Sequence, residues 1–75
     1  MDLNGWEYYD KLPDGYRHAK IEDFIDRGKV KLGMMFLIKW SCEEYYQVCK
    51  VSENLTSKFL LPIIEDKMVY VKNGQ

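Results

Sequence analysis

The chain is poor in almost everything that marks an enzyme, a metal protein or a membrane protein. It holds one histidine, two cysteines and two prolines in 75 residues, and five glycines that are all isolated from one another. A phosphate-cradling loop needs clustered glycines, so nucleotide binding of that kind is excluded. A zinc centre needs three or four ligands at short spacings. Cys42, Cys49 and His18 share no such spacing, so no metal and no cofactor is expected. The acidic pairs Glu43-Glu44 and Glu65-Asp66 read as turn residues. Neighbours on a strand point to opposite faces and cannot work as one site.

His18 is equally isolated. A general base needs an orienting or nucleophilic partner. Asp14 and Glu22 each stand four residues away, but a turn and an extended segment do not bring them to the ring. The expected role of His18 is structural, and the chain is expected not to be an enzyme.

Two cysteines are too few for a disulfide framework, and no apolar signal segment or membrane span is present. Reduced thiols, a cytoplasmic location and no membrane contact follow as expectations. A cross-strand Cys42–Cys49 disulfide is the alternative. Charge of one sign is also lacking: eleven Lys and Arg face twelve Asp and Glu, for a net charge of −1. Strong attraction to nucleic acid or to an anionic membrane needs a clear positive excess.

What the chain does have is aromatic residues, eleven of them, or 15% of the sequence. In so short a chain each ring is a large part of the available core. The opening segment Trp6-Glu7-Tyr8-Tyr9 reads as extended, with Trp6 and Tyr8 as one wall of the core. Leu12-Pro13-Asp14-Gly15 supplies turn chemistry, and Tyr16 to Lys20 resumes extended. A short helix is expected near residues 21–27, because Ile21, Phe24 and Ile25 share a helical face and Gly28 can end it.

Residues 34–40 carry apolar side chains on both parities: Met34, Phe36, Ile38 and Trp40 on one, Met35 and Leu37 with Lys39 on the other. This is the expected central strand, covered on two sides. Residues 45–51 return as its antiparallel partner, and 68–72 alternate as a final strand. Pro62 argues against a long helix in between and allows a single turn that begins on it. Residues 24–32 echo residues 63–71 as two apolar residues, a charged turn and a strand.

The expected fold is one small α+β domain over 1–75: an antiparallel sheet of three to five strands, as an open sheet or an SH3-like barrel, with fraying at 1–5 and 73–75. Two binding surfaces compete. In Tyr8-Tyr9 and Tyr45-Tyr46 only one residue of each pair can face inward, so Tyr9, Tyr16, Tyr46 and Tyr70 are the candidate contacts for a protein partner. The alternative is single-stranded nucleic acid on Lys39, Trp40, Tyr45, Lys50 and Lys72, since such binders combine sheet aromatics with lysines. The near-neutral charge favours the protein partner. A homodimer is a further possibility, through pairing of strand 34–40 with an edge strand at 68–72. The expected function is thus a small non-enzymatic binding or regulatory module.

Overall fold

The computed structural model describes residues 7–74. Seven strands, one 3-10 turn and one helix follow in the order β1 (Tyr8–Tyr9), β2 (Tyr16–His18), the turn Ile21–Asp23, β3 (Ile25–Asp26), β4 (Lys29–Val30), β5 (Met35–Ile38), β6 (Tyr46–Lys50), α1 (Ser57–Glu65) and β7 (Val69–Lys72). Five of the strands form one antiparallel sheet in the order β1-β6-β5-β7-β2, while β3 and β4 pair as a separate hairpin. The sheet is open, and its outer strands β1 and β2 do not close a barrel.

β5 is the middle strand, as its two-sided apolar pattern requires. Phe36, Leu37 and Ile38 are all buried. β6 and β7 both run antiparallel to β5 and are therefore parallel to each other. α1 carries the chain across β5 from one to the other, the connection that parallel strands need. One face of the sheet receives all of the remaining structure. Phe36, Ile38, Val69, Val71 and Ala19 pack there with Leu60 and Ile63 of α1 and with Phe24, and Ile21, Ile25 and Val30 close the margin.

The helix expected near 21–27 is absent. Ile21–Asp23 is a single 3-10 turn, and Ile25 and Asp26 pair with Val30 and Lys29. Two turns of helix are unstable alone. Arg27 and Gly28 instead take φ of 53° and 84°, the positive values that a two-residue hairpin turn needs at both central positions. Gly28 is thus a hairpin residue and ends no helix. The burial pattern survives the change of backbone: Phe24 is fully buried, with its ring edge-on to Phe36 at 5.0 Å.

The one α-helix runs through Pro62, which stands at its sixth position rather than its first. The missing amide is the one that would reach the Lys58 carbonyl. Both residues are exposed, on the side where water can take that carbonyl. Thr56 caps the N-terminus, its side chain accepting from the Phe59 amide. At the other end Lys67 adopts φ 61°, its amide donates to the Ile64 carbonyl, and the Met68 amide donates to the Ile63 carbonyl, both at 2.9 Å. That pair of bonds is the Schellman motif, with a lysine where glycine is usual.

Two further expectations are corrected. Strand 68–72 is not an edge: β7 is bonded to β5 on one side and to β2 on the other, and β5 is likewise enclosed. The proposed dimer pairing of 34–40 with 68–72 therefore has no free strand edges to use. Asn73, placed in a frayed tail, donates its amide to the Gly15 carbonyl at 2.6 Å. Residues 1–5, also expected to fray, lie outside the described residues.

Candidate functional site: the open face of the sheet

The registers map the face of the sheet opposite α1 row by row, because directly paired antiparallel residues share a face. One full row is Val48–Leu37–Tyr70–His18; Met35 pairs with Lys50 and Lys72 with Tyr16, which the β5–β7 register, continued by two residues, sets in line as Lys50–Met35–Lys72–Tyr16, and Tyr9 stands beside Tyr46. All four tyrosines read as partner contacts, Tyr9, Tyr16, Tyr46 and Tyr70, thus come to one face. Among the described residues no helix and no second sheet packs on it, since α1, the 3-10 turn and the hairpin all contribute to the core on the other side.

The face holds a buried leucine and an aromatic cluster. Leu37 is only 1% exposed, yet it lies outside the main core cluster. On the same face the rings of Tyr46 and Tyr70 meet edge to face, 5.5 Å apart, and His18 lies against Tyr70 at 4.7 Å. Burial, and then the neighbouring Tyr46, push the Tyr70 hydroxyl above its ordinary pKa.

The five nucleic-acid candidates are divided. Lys50 and Lys72 are on the open face. Trp40 and Tyr45 belong to the opposite side: Trp40 packs against the core and beside Phe59 of α1, and Tyr45 contacts Tyr8 at 5.0 Å. The Trp40 indole N–H donates to the Gln47 side chain at 3.2 Å. Lys39 follows β5 on the open-face parity, but its ammonium donates to the carbonyls of Trp40 and Glu43 and is held at that loop. Tyr8 does not wall the core as expected. It is 58% exposed at the sheet margin, because β1 lies at the edge beyond the reach of α1. Trp6, the other expected wall, lies outside the described residues.

The remaining chemistry-bearing groups are scattered. Among the described residues no three His, Cys, Asp or Glu side chains gather as metal ligands. Cys42 is exposed and Cys49 half-buried, both as free thiols, and burial pushes Cys49 up to about 11. Sequence reading missed the pairing of Arg17 with Asp23. The guanidinium of β2 makes two bonds, of 2.8 and 2.9 Å, to the carboxylate in the 3-10 turn. That carboxylate also accepts from the Lys20 amide at 2.7 Å, and these bonds hold Asp23 below the usual carboxylate range. Arg17 alternates with Tyr16 and His18 and so points to the helix side, a parity the sequence contained. No described helix is long and apolar enough to cross a membrane. No known family model, curated protein or solved structure matches this chain.

Proposed function

We propose that this chain is a non-enzymatic binding or regulatory module that engages a protein partner through the open face of its sheet. The observation that carries the reading is the convergence of Tyr9, Tyr16, Tyr46 and Tyr70 on one face that no described element covers. Tyrosine brings large contact area with few rotatable bonds and a polar tip, the properties enriched at protein interfaces. The paired strands and buried Leu37 beneath this face support the reading further, because a surface already formed before binding loses less entropy on binding. The division of Trp40 and Tyr45 from Lys50 and Lys72 means that these candidates do not form one nucleic-acid surface.

The test is affinity capture from the native host, with protein and nucleic acid both analysed. Tyr9→Ala and Tyr16→Ala, on the open face, should deplete one and the same captured protein about tenfold or more, as interface tyrosines do. Tyr8→Ala and Phe59→Ala, both exposed on the helix side, should leave it unchanged. Equal tolerance of all four, or recovery of nucleic acid as the principal companion, contradicts the proposal. Thermal melting of each variant separates lost contact from lost folding.

A further inference from the structure

The charge of the open face differs from that of the chain. The five strands of the sheet contain Arg17, His18, Lys50 and Lys72, and no aspartate or glutamate. Arg17 is spent on Asp23 on the helix side. Lys50 and Lys72 are exposed and stand in one row with Met35 between them, itself 39% exposed. They lie two strands apart, so their backbones are separated by about 9–10 Å. The carboxylates next to these strands lie outside them: Glu7 one residue before β1, Asp10 just after it, Asp14 two residues before β2, and Glu43 and Glu44 ahead of β6. Nothing of negative charge stands in the Lys50–Met35–Lys72–Tyr16 row itself.

From this we infer that the open face takes an acidic protein segment, one that sets carboxylates beside Lys50 and Lys72 and an apolar side chain on Met35. The inference rests on the open face being the contact surface, and adds the chemistry of what it holds. Met35 is a flexible, polarisable side chain that adapts to varied apolar groups. The two ammonium groups steer a segment of opposite charge and disfavour a basic one. A single-stranded nucleic acid has fewer rings to stack on, because Tyr46 is engaged edge to face with Tyr70 and His18 lies against Tyr70; Tyr9 and Tyr16 are the rings left for a base, and poly-U tests them.

The experiment is an NMR titration of the full chain with three probes: a capped peptide of repeating Glu-Leu-Glu, the same peptide with every Glu replaced by Gln, and poly-U. The acidic peptide should shift the amides of Tyr16, Met35, Lys50 and Lys72, and the Gln peptide should not. The double variant Lys50→Glu, Lys72→Glu should weaken acidic-peptide binding about tenfold or more. Raising salt from about 0.05 to about 0.3 M should also weaken it. Both lysines are exposed at strand ends, so the variant's unchanged spectrum elsewhere checks its fold. The inference is overturned if poly-U binds as tightly, if the Gln peptide binds equally well, or if the face is occupied by a second copy, which sedimentation would report. If the host partner is lost on Tyr9→Ala and Tyr16→Ala but kept by the lysine double variant, the contact surface stands and the acidic partner falls.

Discussion

Tyr46 and Tyr70 touch edge to face, 5.5 Å between centroids and 75° between planes, although β5 separates their strands. Leu37 of β5, paired directly with Tyr70 on one side and Val48 on the other, is buried on this same face, outside the main cluster. The sheet thus has a small second core on the face that no described helix covers.

Leu37→Ala tests that second core. Emptying a closed site of this kind costs about 2–5 kcal/mol, and the cost should appear as a lower denaturant midpoint. Leu32→Ala, at an exposed position, should stay within about 0.5 kcal/mol. A near-neutral Leu37→Ala would contradict a closed second core at this position.

Lys67 offers a gain of stability. Its φ of 61° closes the Schellman motif after α1, and a side chain there costs roughly 1 kcal/mol relative to glycine. Lys67→Gly should raise stability by up to about 1 kcal/mol in equilibrium unfolding, the loss of unfolded-state constraint taking back part of it. A destabilised variant would show that the Lys67 side chain makes a contact worth more than the strain.

The Arg17–Asp23 pair makes stability depend on acid. The pair and the Lys20 amide hold the folded carboxyl below its unfolded value, so the contribution is complete above the unfolded pKa. It should be lost as pH falls below about 4, through the folded pKa. Asp23→Asn should therefore lower stability at neutral pH and flatten the acid limb of the stability curve. An acid limb identical to that of the parent would contradict the assignment.

Thiol reactivity separates the two cysteines. In the folded protein Cys42 should alkylate readily at mildly alkaline pH, while Cys49, buried and pushed up to about 11, should react far more slowly. Mass spectrometry should find one adduct under native conditions and two after unfolding. A native protein that takes none before reduction and two after it would instead contain the cross-strand disulfide.

The sheet was legible because its signals are local and strong. Alternation around Phe36 and Leu37 gave the central strand with both parities correct, and the adjacent tyrosine pairs gave the rule that sends Tyr9 and Tyr46 to one side. The helix was misread because propensity and tertiary demand disagree. Ile21, Phe24 and Ile25 have helical spacing, but the following Arg27-Gly28 closes a hairpin and wins the segment. Pro62 hid the real helix, whose support comes from the Thr56 cap, from burial of Leu60 and Ile63, and from the bonds around Lys67. Residues 24–32 and 63–71 do share something real. Gly28 and Lys67 occupy equivalent places in that echo, and both take positive φ before a strand. The division of Trp40 from Lys50 was also within reach of parity counting, since strand and turn place them on opposite faces.

Tyr8 and Tyr9 are consecutive and point to opposite sides of the same edge strand, which permits the most direct measurement of the central claim. A photoreactive benzoylphenylalanine is installed in place of Tyr9 in one protein and in place of Tyr8 in another, and both are irradiated in host extract. Cross-linking of one protein partner from position 9 and not from position 8 is the result the account predicts. Cross-linking from position 8 alone, or equally from both, would contradict it.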